Sequence, residues 1–465
     1  MSILCFDISS GGISAAILDS RLNATRSVET RWSLETDEHG AATLPVQTIV
    51  EQFKATVFQL KVTNPDNIDA ICFDSFMHNF VLMDAADQPI TPVFTWLDHR
   101  GSDGIELVRT QMGDRFHQRT GCRFHPMFPV FKLASMRLAE SPELQAAKRV
   151  VSIKSLLIQK VTDVWLEDHG IASSSGLFNV QERTWDTEIL NLIGLSPACL
   201  PQVASRNEIA GRVTRTAASV FGLTEGTAVV NGTGDGFAAN VGSDCETPAR
   251  ISVTLGTSAV VRQTLSKPAL APDAGTFCYM GDNEAYLLGC AGSNGGNVLD
   301  WGRGLFGSPS DAGAADLPIF IPLLHGERSP EWNPYLTGSW YGLRARHTSA
   351  DLSRSILEGV VFNLAHFLEI VQTTSAVQAS DLVLSGNGFL DPIAAPSLAA
   401  LAGVSVWMPE EPGLMSLRGT AICALRALSR PVPELRLRRI APINDGKISG
   451  RYASYRRFRG NLARA

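Results

Sequence analysis

The sequence predicts an α/β protein of two domains, and three observations predict it. Apolar runs end repeatedly in short turns of Gly, Ser and Thr. One unit, strand, small-residue turn, strand, opens the chain at SILCFDISSGGISAAILDS and opens again at RISVTLGTSAVVRQTL, residues 250–265. The chain has 465 residues, more than one ordinary core organises. A duplicated architecture with a cleft between lobes follows, its boundary near 243–250: residues 1–243 form one domain and 244–465 the other.

Taken in order, the N-terminal run reads as a β-hairpin at the heart of a sheet, because apolar runs flank a tight turn. IDAICFDSF (68–76) is a second buried strand. Helical periodicity dominates from about Gly101 to Gln202, as in LVRTQMGDRFHQRT. VVNGTGDGFAANVGS (229–243) leads from two valines into small residues around a single acid, Asp235. In the second half, SADLSRSILEGVVFNLAHFLEIV reads as a long amphipathic helix and DLVLSGNGFLDP as a strand ending in a glycine turn.

Composition bounds the function. Hydrophobic residues at 45% and charged residues at 18%, with mean hydropathy +0.05, describe a globular enzyme rather than a disordered chain. A formal charge of −6 supplies no basic field for nucleic acid. The 8 cysteines are scattered, with no CxxC pair and no His at metal-ligand spacing, and read as buried thiols of a reducing compartment. Residues 1–20 show no basic leader, and no apolar run reads as long enough to span a bilayer. A cytoplasmic protein without membrane or nucleic-acid partners is expected.

Four stretches carry chemistry. In DISSGGISAAILD (7–19) a strand delivers Asp7 to a turn whose amides, with the Ser9 and Ser10 hydroxyls and Gly11, suit phosphate oxygens, while Asp7 suits a hydrated Mg²⁺. LGTSAVV (255–261), with Thr257, and SGNGF (385–389), with Gly386 and Asn387, are further small turns after strands. Any one of them is simply a tight turn with its own hydrogen bonds; three at strand ends suit phosphate, which needs unshielded amides. The fourth is GTGDG. Phosphoryl transfer to an alcohol asks for a carboxylate at the end of a rigid element to accept the hydroxyl proton. Asp235 fits that role, and equally fits a helix cap before FAANVG.

The order of these motifs resembles the FGGY family of carbohydrate kinases over nearly the whole chain. Asp7 to Asp19 is similar to the family's first phosphate motif, GTGDGFAANVG to its catalytic-base segment, LGTS to its second phosphate motif, SNGGNVLDW (with Gly296) to its Asn-Gly-Gly segment, and IPLLHGERSPEWNPYLTGSWYGL to its Gly-Glu-Arg-x-Pro run. FMHNFVLMDAADQPITPVFTWLDHR, RTGCRFHPMFPVFKLA and IASSSGLFNVQERTWD look most like the gluconokinase branch. The resemblance implies two actin-like (ribonuclease H-like) domains with mixed central sheets flanked by helices and an active site in the interdomain cleft. It implies ATP and Mg²⁺, with Met77 and His78 lining the sugar pocket, Asp235 facing the reacting hydroxyl as general base, and Asp98 and Arg100 supporting the pocket or touching substrate. Ser9, Ser10, Gly11, Thr257, Gly296, Gly386 and Asn387 would bind the nucleotide, and Asp7 the metal. Lys132 and Lys154 are cationic partners for a sugar-acid carboxylate, although a lone lysine is more often a solvated surface residue. A homodimer is the assembly entertained.

Departures from the family pattern fall on the nucleotide side. In the first phosphate motif the family Gly falls on Ser9, its second Thr on Gly11 and its Lys or Arg on Ser14, which removes a cation that would stabilise the transferred group. The usual Gly-Gly-Phe is Gly386-Asn387-Gly388, the usual Gln and Asp are Pro396 and Ala400, and Gly-Ala-Ala is Gly419-Thr420-Ala421. ATP bound through altered contacts, another donor, or impaired transfer are the alternatives. The first functional choice is an ATP-dependent kinase of gluconate or a similar sugar acid. A xylulose-type ketose or polyol kinase is the rival within the family, and a catalytically weak sugar- or nucleotide-binding sensor the rival outside it. An actin-like ATPase of chaperone type has no use for TWLDHR or HPMFPVFKL.

Overall fold

A computed structural model of the chain describes residues 1–60, 68–309 and 316–462. Its opening run is the anticipated hairpin: Ser2–Ser9 pairs antiparallel with Gly12–Asp19. Leu4, Phe6 and Ile8 project to one face of the sheet and Ile3 and Cys5 to the other, and all five are fully buried. Strands covered on both faces read as continuous apolar runs, which is why the sequence signal is strong here.

The chain divides into two compact units. The first takes Met1–Gly242 and, from beyond the expected boundary, Cys278–Tyr286 and Ser416–Glu434. The second takes Ser243–Phe277, Leu287–Met415 and Leu435–Ala465. The sheet of the first unit runs Ala24–Arg31, Gly12–Asp19, Ser2–Ser9, Ile68–Ser75, Ala228–Gly234, Ile209–Arg212 in space. Ser2–Ser9, Ile68–Ser75 and Ala228–Gly234 are mutually parallel, and the hairpin partner and Ile209–Arg212 are antiparallel.

The second unit repeats that pattern. Ala259–Leu265 is antiparallel to Arg250–Leu255, which is parallel to Asp381–Ser385, itself parallel to Ser405–Pro409, and Leu437–Arg439 closes antiparallel. Over these five strands the second sheet repeats the first, which is the duplication read from the sequence, but it has seven strands in all, with Phe277–Asp282 and Ala285–Gly292 added beyond Ala259–Leu265.

Each face of the first sheet is covered by helices. Phe53 of helix Val46–Gln59 packs on Phe6 and Phe73 with ring centroids 4.9 and 5.9 Å apart. On the opposite face Ala421 and Ala424 of helix Met415–Ala427 cover Ile3, Cys5 and Cys72. That helix lies far along the chain from the strands it covers, so no local pattern announces its place.

In the second unit, helix Ser349–Ser375 corrects one expectation. It is long and apolar enough to cross a membrane by length and composition, yet 72% of its most apolar window is buried inside the protein. A helix apolar nearly all round is the central helix of a core. All 8 cysteines are free thiols, and each except the partly buried Cys199 is buried.

Candidate active site

Three central strands of the first unit bring its carboxylates into one row. Asp7 stands opposite Asp74 in the parallel register, and Asp74 stands opposite Thr233. Gly234 follows, opposite Ser75, and Asp235 begins the helix Asp235–Gly242. Between Val230 and Thr233 the register slips, because Gly232 takes a φ of +66° and sits where a Cβ would lie 1.8 Å from the Phe73 carbonyl oxygen. Only glycine makes that bulge. From 227 to 242, Asp235 is the single residue that is not buried. Its Oδ1 accepts the Gly236 N–H at 2.6 Å, so the helix-start role and an open carboxylate coexist.

Burial raises the pKa of Asp7 to about 6, and the charge of nearby Asp235 adds to the rise. Burial also raises Asp74 well above the usual carboxylate range, with the charge of Asp7 next in size. The hydrogen bond between the two side chains favours Asp7 ionised and Asp74 protonated. The hydroxyl of Thr420, on the covering helix, donates to Asp74 Oδ2. Asp74 therefore keeps its proton, and the charge of Asp235 acts on Asp7 as a local concentration of negative charge.

Of the side chains expected around a sugar, Met77 lies next to the residue before Asp235. A Cβ on Gly234 would lie 2.8 Å from Met77 Cγ and 3.2 Å from Ile171 Cδ1, so Met77 packs directly over the residue before the acid. His78 is buried with φ +60°, a backbone state rare outside glycine. Its Nδ1 is 2.7 Å from the Ser174 carbonyl oxygen; a carbonyl only accepts, so Nδ1 carries the hydrogen. Phe128 and Tyr279 pack edge-on to the His78 ring at 4.9 and 5.9 Å. Tyr279 belongs to the Cys278–Tyr286 segment, which the sequence reading left in the other domain.

Asp98 is fully buried and filled by protein: it accepts from Ala42 N at 3.1 Å and from Arg100 Nη2 at 2.6 Å. Arg100, 38% exposed and stacked over Phe94 at 5.0 Å, is the member of the pair that solvent reaches. Lys132 is buried, donates to the Pro126 and Met127 carbonyls at 2.8 Å each, and has its pKa lowered by burial to about 7. Lys154 departs from expectation. It is fully buried, ion-paired with Asp168 at 3.2 Å and Glu167 at 3.3 Å, and donates to Asn231 Oδ1 at 2.8 Å. These partners occupy it inside the protein, and it is no surface cation for a ligand.

The small turns are closed by hydrogen bonds of their own. In the first, Ser9 Oγ donates to the Gly12 carbonyl at 3.1 Å and accepts from Gly11 N at 3.2 Å, while Trp32 Nε1 caps the Ser10 carbonyl at 2.9 Å. The second unit joins its three turns at the end of Arg250–Leu255. Gly296 N donates to the Gly256 carbonyl at 2.7 Å. Gly386, with φ +89°, lies where a Cβ would be 2.4 Å from the Leu255 carbonyl oxygen, and its N–H donates to Pro412 at 2.8 Å. Thr257 and Asn387 are exposed at this junction. The structure thus brings together Thr257, Gly296, Gly386 and Asn387.

Asp74, Thr233, Asp168 and Tyr279 were missed by the sequence reading. Asp74 carried a usable signal, an acid inside the apolar strand IDAICFDS. A cavity of about 600 Å³ in the second unit, lined by residues including His366, Glu331 and Arg459, contains none of the expected site residues.

Fold and site define a class: an actin-like α/β protein with a row of carboxylates across its first sheet and turns of small residues at strand ends. The chain belongs to the FGGY family of carbohydrate kinases. The family model of the N-terminal domain matches residues 2–242 and that of the C-terminal domain residues 251–428. Gluconokinase of Bacillus licheniformis is 29% identical over 386 residues, covering 78% of this chain and 75% of the relative. Xylulose kinase of Streptomyces rubiginosus is 29% identical over 359 residues, covering 76% and 74%. The crystal structure of gluconate kinase from Lactobacillus acidophilus shares the fold with TM-score 0.91 at 23% identity over 99% of this chain and 98% of that one. The chain is accordingly a carbohydrate kinase, a phosphotransferase with an alcohol group as acceptor that uses ATP on a small sugar-type substrate.

Proposed function

We propose that the protein phosphorylates gluconate or a closely similar sugar acid, with Asp235 as general base. The observation that carries this reading is the solvent access of Asp235 alone within a buried segment, beside ionised Asp7 and under Met77. A carboxylate at the end of a rigid strand holds its position while it accepts the hydroxyl proton as the bond to phosphorus forms. His78, fixed through Nδ1 to the Ser174 carbonyl, and Met77, an apolar wall, would line the sugar pocket.

A sugar-acid carboxylate calls for a cation. Arg100 is held in place by Asp98, and its exposure leaves the guanidinium edge available for a bidentate contact. On the nucleotide side, the exposed Thr257 and Asn387 offer short polar side chains to phosphates and base, at a junction that Gly296 and Gly386 keep clear of bulk, and the Ser9–Gly11 turn is likewise built of small residues.

Asp7 suits Mg²⁺. The ion keeps most of its water and takes one or two carboxylates together with substrate phosphates, and the charge shared by Asp7 and Asp235 is what a cation relieves. Among the described residues, no cluster of three or more His, Cys, Asp or Glu forms a closed cage, which this open mode does not need. When bound, the ion neutralises charge on the transferring phosphoryl group.

The second reading, a ketose such as xylulose as acceptor, draws on the Streptomyces rubiginosus xylulose kinase, as identical to this chain as the Bacillus licheniformis gluconokinase. ADP release measured with ATP against gluconate, xylulose, glycerol and a sugar-acid panel separates the two. The highest kcat/KM is expected for gluconate; a higher value for xylulose, with gluconate inert, assigns the protein to the second reading.

A further inference from the structure

The residue two positions before the proposed base is tied into a buried charge network. Thr233 Oγ1 donates to Asp168 Oδ2 at 2.7 Å. The same oxygen accepts the Gly170 N–H at 2.7 Å and the Ile171 N–H at 3.3 Å, capping helix His169–Ser173. Asp168 Oδ1 lies 3.2 Å from Lys154 Nζ. Lys154 in turn holds both the carbonyl and the side-chain oxygen of Asn231, at 3.0 and 2.8 Å. Asn231 Nδ2 donates to the Glu167 and Ser205 carbonyls at 3.1 and 3.2 Å. Every one of these side chains is at most 3% exposed.

Lys154 and Asp168 thus grip the strand on both sides of the Gly232 bulge, at Asn231 and at Thr233. The bulge is the one place where this strand slips register against Ile68–Ser75, and side-chain direction downstream depends on it. The capped helix also sets Ile171 against Gly234, so Asp168 orients the strand before the acid and part of the wall beside it. A buried ion pair contributes little net stability compared with apolar packing, but it fixes geometry through directional bonds.

We propose that Lys154, Asp168 and Thr233 are positioning residues that aim the Asp235 carboxylate at the acceptor hydroxyl. The inference rests on the reading of Asp235 as base. Transfer tolerates little misalignment of base and hydroxyl, whereas the Thr233 side chain is itself fully buried and lines no solvent-accessible pocket wall. Loss of the Thr233 hydroxyl therefore lowers kcat and leaves KM alone.

The test is steady-state kinetics of Thr233→Val and Thr233→Ser in the full chain, with both KM values and the thermal midpoint measured. Thr233→Val retains volume without the hydroxyl; it is expected to lose about 10- to 100-fold in kcat, with each KM within about twofold. Thr233→Ser retains the hydroxyl but opens a methyl-sized void; it is expected to melt lower yet hold kcat within about threefold. Thr233→Val with unchanged kcat, or Thr233→Ser as impaired as Val, overturns the proposal. If Thr233→Val does not fold, Thr233→Ala decides on the same criteria. Asp235→Asn run in parallel separates the two ideas: a dead Asn variant beside a fully active Thr233→Val removes only the positioning network, whereas an active Asn variant removes the base itself.

Discussion

The site residues of the two units are made of different material. In the first unit, Asp74, Lys132, Lys154, Glu167 and Asp168 are ionisable groups at most 3% exposed, while Asp7 and Asp235 are half-buried. In the second unit, the turns at 255–258, 294–297 and 386–388 contain no charged side chain and are held by main-chain hydrogen bonds such as Gly296 to Gly256 and Gly386 to Pro412. Under the proposed function the difference follows the task. A proton that changes owner during the reaction needs tuned side chains, whereas a phosphate chain of fixed charge needs unshielded amides.

The comparison is broken most directly at Asp235. Asp235→Asn keeps the helix start and removes the proton acceptor; kcat, measured by ADP release, is expected to fall by about 10²- to 10⁴-fold with the thermal midpoint little changed. Turnover near the wild-type rate would end the first unit's claim to the chemistry.

The second unit is tested at Gly386. Gly386→Ala places a Cβ at positive φ against the Leu255 carbonyl, and the strain is expected to cost about 1–3 kcal/mol of stability. If the turn meets nucleotide, KM for ATP rises about tenfold while KM for the sugar stays put. A shift in the sugar KM instead would mean that the two units do not divide the work in this way.

The smallest effect sharpens the electrostatics of the first unit. Asp7 has its folded-state pKa raised from 3.8 to about 6. A carboxylate raised in this way binds more protons folded than unfolded, so its ionisation costs stability above about pH 6 and nothing below about pH 4. Asp7→Asn mimics the protonated form. It is expected to be more stable than wild type at pH 7 by about 1–2 kcal/mol, less than the full shift implies because Asp7 is partly exposed. In denaturant titrations the advantage should fade between pH 6 and pH 4, while activity is lost. An advantage that grows toward acid pH would show that Asp7 is not held in this field.

Much of this was legible because it is local. The hairpin at Ser2–Asp19, the strand before GTGDG and the glycine turns each announce themselves in a few adjacent residues. So did the small residues around Asp235, since a carboxylate left open must be cleared of bulky neighbours. Lys154 misled the same reading: a lysine in SIKSLLIQKV carries no sign that Asp168, Glu167 and Asn231 will enclose it. Tyr279 and Thr420 reach the first unit from segments far along the chain, and no periodicity reports that.

What the sequence determined alone is the α/β class, the duplicated strand–turn–strand plan and the identity of the open acid, because steric permission and hydrophobic periodicity act over neighbouring residues. Only the tertiary structure decided which carboxylate keeps its proton, which lysine is enclosed, and which distant helix and hairpin complete the first unit. Desolvation and ion pairing depend on what lies within a few ångströms in space, and that is set by packing between residues the chain holds far apart.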